Sequence, residues 1–563
     1  MKRTLSRAAA ATAGEAMAMD APDISAEVAM RDGVDLPLRA WVPAGDGPWP
    51  VVVVRWYNTT PPGHLGPATF LAGGYAFAVQ AFRDGTGDDI RGEPGSRFTR
   101  DDLDGYDTVE WIARQPWCDG SVAMTGKSAG GITAWQAATA RPPHLKAIIP
   151  QNCGGTFGTW GVWGYRANGA VTLAMTANGR AVPDIRQPPW DRSRDAYMAL
   201  PLIDLDVRAT GGQSPLWRTY VTEDRWEPDE SYKDVDVPVL LVGGWWDYYA
   251  GAAFELWGAL RRNRPDNDVR VIVDATQHIS EFPPDGRDYG DGVTDVPAAS
   301  VRWLDGVLSG RGRAADAGAV RVFTMGTNRW RQYDDWPPSD ATVTEVYLRS
   351  ADGGRVGALD PAAPNAEPPS AYVYDPDDPV PTLGGNHSIW YDHPLVPVGS
   401  FDHTPHKRRA DVLVFSTDVL DADTEVTGPV TVRLWAASDA PDTDWAAILL
   451  DVGPDGRPFN VTMGILRARY RHGMYRPPSP LTPGAIEPYT LHLMPTSYVF
   501  KRGHRIRLHI SSSNFPLWDR NTNTGGDIAT ETRTQPACQR IYHDRAHPSC
   551  LCLPIVAGGV PAP

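Results

Sequence analysis

Val122-Ala123-Met124-Thr125-Gly126-Lys127-Ser128-Ala129-Gly130 decides the reading of the fold. The apolar run over 122–125 reads as a buried strand, and the helix-forming composition of 132–140 follows with no room for a loop between them. A chain that turns this sharply from strand to helix tolerates only small residues two before and two after the serine, and Gly126 and Gly130 stand there. Such a turn exposes the Ser128 hydroxyl at the carboxyl edge of a sheet. It also aims the Ala129 backbone N–H, at a helix N-terminus, toward a developing oxyanion. The pentapeptide G-x-S-x-G alone is weak, expected by chance roughly once in four chains of this size. The flanking strand and helix give it weight.

Working outward, the four valines of 51–54 and the apolar run 76–81 read as buried strands. Leu103, Tyr106, Val109 and Ala113 recur at helical spacing until Pro116 stops the pattern. Beyond the serine come a strand at 145–150, a strand at 239–242, a helix over 254–261 and a strand at 269–273. Strand and helix in alternation predict a parallel α/β sheet, the α/β-hydrolase fold class once the serine turn is included. Between the two halves, residues 151–235 are rich in Gly, Trp and Pro and read as an inserted cap. From about 311 the strand-like runs 412–415, 430–434 and 506–510, separated by Pro/Gly/Asp turns, suggest a β-sandwich or jelly roll. The expected division is a disordered tail over 1–25, an α/β core over 26–150 and 236–310, the cap over 151–235, and a β domain over 311–563.

A serine hydroxyl is a poor nucleophile at neutral pH and needs an imidazole to take its proton and a carboxylate to orient that imidazole. In this fold class the chain order is serine, acid, histidine. Asp247 follows the strand ending near Gly243 and His278 follows the strand ending at Val273, so both fall in loops at the edge that carries Ser128. The three form the expected catalytic triad. His144 belongs to a connection at the opposite edge and reads as a surface residue, and His64 precedes the serine, so it can line a pocket but is out of order as the base. Asp274, four residues before His278, reads as a loop-stabilising carboxylate. Gly85-Thr86-Gly87 lacks the third glycine and helix start of a dinucleotide loop and reads as a turn. Asp439, Asp442, Asp444 and Asp451 lack the spacing of a calcium loop and read as a solvated strand-edge loop.

With 563 residues, the chain exceeds one ordinary core and predicts two or three domains. Residues are 42% hydrophobic and 21% charged, as in soluble globular proteins, and no apolar run reaches the length of a membrane span. A formal net charge of −15 excludes nucleic acid and anionic membrane as expected partners. Five cysteines, widely spread, support neither a disulfide framework nor a zinc site. The alanine-rich start is broken by Glu15 before a signal-peptide core develops, so a cytoplasmic location is expected, with secretion left open. No metal or organic cofactor is expected; a homo-oligomer is left open.

Beyond these patterns the chain resembles the cocaine esterase-like family, which includes X-prolyl dipeptidyl peptidases, α-amino acid ester hydrolases and cephalosporin acylases. The resemblance covers nearly everything after residue 30. It is carried by Trp117-Cys118-Asp119-Gly120 before the serine turn, Gly244-Trp245-Trp246-Asp247 around the acid, Tyr374-Asp375-Pro376, the run 379–385 (PVPTLGG), Asp442-Thr443-Asp444, and Ser512-Ser513-Asn514-Phe515-Pro516. It implies an α/β-hydrolase core with an inserted helical cap and a C-terminal β jelly-roll domain. It also implies that the Tyr57 hydroxyl is the second oxyanion donor beside the Ala129 N–H; the alternative for Tyr57 is an aromatic packed at the sheet edge.

Two departures stand out. Family members usually carry Tyr after the nucleophile and Gly-Pro-Trp before the histidine, where this chain has Ala129 and Asp274-Ala275-Thr276-Gln277-His278. The pocket wall beside the nucleophile should therefore be roomier. Trp160, Trp163, Trp246, Tyr248 and Tyr249 are candidate walls for an apolar or aromatic acyl group, with plain packing the alternative for each. The expected activity is hydrolysis of a small-molecule carboxylic ester, or an amide, through an acyl-enzyme. Rival readings are a peptidase or amino-acyl hydrolase holding a substrate ammonium with Glu223, Asp224, Asp229 or Glu230, and an inert ligand-binding protein, which an intact Ser, Asp and His order opposes.

Overall fold

The computed structural model describes residues 21–83, 99–154, 194–210, 213, 215–222, 230–247, 249–278, 287–308, 318–386, 395–473 and 475–557. Among these residues, ten strands form the first sheet: β1 (Ile24–Ala29), β2 (Asp35–Trp41), β3 (Trp49–Trp56), β4 (Ala76–Ala81), β5 (Cys118–Lys127), β6 (Leu145–Gln151), β7 (Val239–Gly244), β8 (Val269–Asp274), β9 (Val320–Thr324) and β10 (Arg329–Tyr333). Their order is β1-β2-β4-β3-β5-β6-β7-β8-β9-β10. From β4 through β9 every neighbouring pair is parallel, and antiparallel strands close both flanks.

Strand alternation explains why these sequences read as continuous apolar runs. Side chains of a strand point alternately to the two faces, and both faces of this sheet are covered. Val51, Val53, Val122, Met124, Leu241, Val271 and Val273 enter one buried cluster with α2 (Asp101–Ala113), α3 (Ala129–Thr139) and the long helix Tyr249–Asn263. Val52, Val54, Ala123, Leu240, Val242 and Ile272 enter the other, with α1 (Pro67–Ala72) and the helix Val296–Leu308. A buried ion network ties α2 to the sheet: Arg55 of β3 lies 2.5 Å from Asp101, and Arg83, just past β4, lies 2.6 Å from Asp104. Removing one member would leave a buried charge uncompensated, which costs about 3–5 kcal/mol.

Among the described residues the second sheet has thirteen strands, from Ala341–Arg349 to Cys550–Val556, mostly antiparallel, around a core that includes Leu413, Phe415, Leu434, Trp445, Leu449, Leu508 and Leu551. β9 and β10 lie beyond residue 311, the expected start of the β domain, yet β9 pairs in parallel with β8 (Val271 opposite Val320) and β10 closes that same sheet. The half-polar sequence of β10, Arg-Trp-Arg-Gln-Tyr, is what an edge strand tolerates, and it resembles the β domain that follows.

The acidic group read as a solvated loop needs correction. Asp442, Asp444 and Asp451 are buried, and only Asp439 is exposed. Arg469 donates to Asp442 at 2.7 Å, Arg467 to Asp444 at 2.9 and 3.0 Å, and Tyr498 to Asp451 at 2.9 Å. These carboxylates satisfy arginine and tyrosine donors in the interior, which spacing alone does not reveal.

In the inserted segment, the described helices Arg194–Met198, Leu205–Thr210 and Pro215–Thr222 pack on the second unit: Tyr197, Leu202, Leu205, Trp217 and Val221 share a buried cluster with Phe515 and Ala529. No helix among the described residues is long and apolar enough to cross a membrane.

Candidate active site

Strand β5 delivers Ser128 to the carboxyl edge, and α3 starts at the next residue. Ser128 sits at φ 55°, ψ −116°, a backbone conformation an L-residue adopts only where its surroundings hold it. Here they do: its N–H donates 2.8 Å to the Gln151 carbonyl, and its own carbonyl accepts from Ile132 N–H at 2.9 Å. The need for glycine is steric. A Cβ on Gly126 would lie 2.4 Å from the Gly130 carbonyl carbon, and one on Gly130 would press the Trp56 ring at 3.2 Å. Ala129, the first residue of α3, carries an N–H that no carbonyl of the helix can reach.

His278 reaches Ser128 with Nε2 at 2.9 Å from Oγ, while its Nδ1 lies 2.8 Å from Asp247 Oδ2. Asp247 is fully buried and His278 is 4% exposed, so the carboxylate–imidazole pair is shielded from water. A carboxylate accepts only, so Nδ1 carries the proton and Nε2 presents a lone pair to the serine hydroxyl. Two further donors hold the acid: Asn152 Nδ2 at 2.5 Å from Oδ2, and Tyr249 N–H at 3.1 Å from Oδ1. The acid and histidine loops are stitched together, Trp245 N–H donating to the Asp274 carbonyl at 2.8 Å and Trp246 N–H to the Thr276 carbonyl at 3.0 Å. Asp274 props the histidine loop, its carboxylate accepting from Thr276 N–H, Thr276 Oγ1 and Thr294 N–H at 2.9, 2.5 and 3.0 Å. Complete burial nevertheless pushes the Asp274 carboxyl above its ordinary range.

Tyr57 follows β3 on the same edge, its ring edge-on between Trp56 and Phe82 at centroid distances of 4.9 and 5.1 Å. His64 is exposed and packs edge-on near Trp56. His144 lies away from the site, with Nδ1 2.9 Å from Glu110. Of the candidate walls, Tyr249 is buried with its ring 5.6 Å from that of His278, and Trp246 is buried in the core beneath the acid loop. Trp160, Trp163 and Tyr248 lie outside the described residues, as do Gly85-Thr86-Gly87 and the cap acids Glu223, Asp224 and Asp229. Sequence reasoning missed Asn152; its position just past a predicted strand, at the edge that carries Ser128, was the available signal.

Residues 32–280 match the model of the X-Pro dipeptidyl-peptidase (S15 family), and residues 313–552 that of the X-Pro dipeptidyl-peptidase C-terminal non-catalytic domain. Cocaine esterase of Rhodococcus sp. (strain MB1 Bresler) is 33% identical, over 94% of this chain and 97% of that protein. The chain belongs to the cocaine esterase-like family. A putative serine esterase of Mycobacterium bovis is 28% identical over 94% of this chain and 95% of its own length. Among solved structures, an α-amino acid ester hydrolase (TM-score 0.80, 24% identity, 98% of this chain and 100% of that one) shares the fold. So does an aminopeptidase from a Thaumarchaeota archaeon (TM-score 0.80, 24% identity, 97% and 100%). Membership of the cocaine esterase-like family makes the chain a serine hydrolase with an α/β-hydrolase-like catalytic part and a C-terminal non-catalytic domain.

Proposed function

We propose that the chain hydrolyses small carboxylic esters with uncharged acyl groups through an acyl-enzyme on Ser128. The observation that carries this reading is the continuous hydrogen-bonded chain from Asp247 through His278 to Ser128. Nε2 of His278 takes the hydroxyl proton as Oγ attacks the carbonyl carbon; the resulting oxyanion is held by the Ala129 N–H and the Tyr57 hydroxyl. Collapse expels the alkoxide, which leaves with the proton held by His278, and a water then repeats the sequence to release the acid. Asp247 keeps the imidazole in the required tautomer and offsets its transient charge. The C-terminal unit is taken as a jelly roll, and residues 151–235 as a cap whose Trp160 and Trp163 join Trp246, Tyr248 and Tyr249 around the acyl group.

An ester pocket only removes apolar surface from water, whereas a site for a substrate ammonium must offer a buried carboxylate. Of the four cap acids considered, the one described, Glu230, is exposed and bonded to Lys233 at 2.6 Å. Ser128→Ala should leave the fold intact and lower kcat by roughly 10⁴-fold; wild-type turnover would remove Ser128 from the role. On the wild type, an ester with a free α-amine should react no faster than its N-acylated analogue. A tenfold preference for the amine, about 1.4 kcal/mol of recognition, would replace this reading with an aminopeptidase-like one.

A further inference from the structure

Far from the serine in sequence, His403, His406 and His509 come together in the second unit, all buried, with one nitrogen of each within 4.8 Å of the others. His403 and His406 flank a short turn, and His509 comes from the strand Arg505–Ser511. Their hydrogen bonds fix the tautomers of the first two. Asn460 Oδ1 already accepts from Phe401 N–H at 2.7 Å, which identifies it as the amide oxygen, and His403 Nε2 lies 3.2 Å from it. His406 Nε2 lies 2.7 Å from the Pro381 carbonyl oxygen. Both Nε2 atoms therefore carry hydrogen, and in the neutral rings both Nδ1 atoms are bare. Yet those two Nδ1 atoms face each other at 3.1 Å.

Two lone pairs at that distance repel unless something positive lies between them. Turning either ring to the other tautomer would only move the clash to the Asn460 or Pro381 oxygen. His509 adds the independent observation: it is 2% exposed, and neither ring nitrogen has a hydrogen-bond partner among the described residues.

We propose that His403 Nδ1, His406 Nδ1 and one ring nitrogen of His509 bind a divalent transition-metal ion of the zinc class. Ligand atoms of a tetrahedral zinc–imidazole site, each about 2.0–2.1 Å from the metal, stand roughly 3.3 Å apart. The His403–His406 pair already has nearly this spacing, and nitrogens no more than 4.8 Å apart have to close by at most about 1.5 Å to bring in His509, within reach of a ring rotation. The Nε2–H bonds to an amide oxygen and a backbone carbonyl are the outer partners that orient metal-binding imidazoles. Three neutral nitrogens with no thiolate suit Zn²⁺, Co²⁺, Ni²⁺ or Cu²⁺ rather than Mg²⁺ or Ca²⁺. The site would brace the turn that carries His403 and His406 against the sheet; it is separate from the Ser128 machinery.

The test uses the full chain, stripped with a chelator, dialysed and titrated with Zn²⁺ and Co²⁺. The expected result is one equivalent bound per chain, visible Co²⁺ ligand-field bands of a low-symmetry nitrogen site, and a Zn²⁺-dependent rise in Tm. His509→Ala and His406→Asn should each weaken binding by about 100-fold or more and abolish the Tm rise. Far-UV circular dichroism checks that each variant is folded. A stripped wild type that takes up no stoichiometric metal overturns the proposal, whatever the variants do. So does equal uptake by folded His509→Ala, which would assign the metal to surface histidines.

Discussion

Asn152 shows how much of the candidate site is decided by single residues outside the proposed triad. It lies just past β6 at φ 47°, a left-handed conformation that Asn adopts more readily than most residues, and this aims its amide at the buried face of Asp247. Without that donor the carboxylate oxygen facing His278 loses one of its two hydrogen bonds, and the imidazole loses a fixed partner. Asn152→Ala is expected to lower kcat about tenfold with KM little changed, the signature of a positioning residue. A loss confined to KM would make it a substrate contact instead.

At the scale of elements, the site depends on how closely two loops approach. A Cβ on Gly244 would lie 2.4 Å from the Thr276 carbonyl oxygen, whereas one on Gly243 would meet nothing nearer than 3.9 Å. Gly244→Ala should thus push the acid loop away from the histidine loop, destabilise the chain by about 1–3 kcal/mol and slow fluorophosphonate labelling at least tenfold. Gly243→Ala serves as the control and should do neither. Equal behaviour of the two variants would show that the loops yield without moving Asp247. The parallel strands and the serine turn were legible because burial on both faces writes continuous apolar runs, and because the sharp turn writes glycines at fixed offsets. The flanking strands were not: β1 and β2 carry mixed sequences, and β10 has an edge strand's polar composition. The order of Ser128, Asp247 and His278 could be read from topology alone. Asn152 and the three buried histidines could not, because their meaning depends on which residues other parts of the chain bring against them.

At the scale of the whole molecule, the two sheets do not behave as separable beads. Met325, one residue past β9, exchanges backbone hydrogen bonds with the second unit, donating to the Ser497 carbonyl and accepting from Val499 N–H, each at 2.9 Å. Thr324 Oγ1 meets Ser497 Oγ at 2.8 Å, and the Tyr333 hydroxyl donates to Glu425 at 2.9 Å. Val398 and Met494, from the second unit, are buried in the same apolar cluster as Trp245 and Phe254 of the first. Most telling for function, Asn386 Nδ2 donates to the Trp245 carbonyl at 2.6 Å, two residues before Asp247. A chain ending at residue 333 would keep every strand of the first sheet but would expose those apolar side chains and leave the backbone groups of Met325 without their partners, each costing about 1–3 kcal/mol where buried. It would also free the acid loop from Asn386. Because a domain's net stability is only about 5–15 kcal/mol, these losses together should leave the shortened chain aggregated and unlabelled by a fluorophosphonate probe. A soluble, monomeric 1–333 chain labelled at the full-length rate would show instead that the second unit is dispensable for the fold of the catalytic part, and that its contacts with the acid loop are incidental.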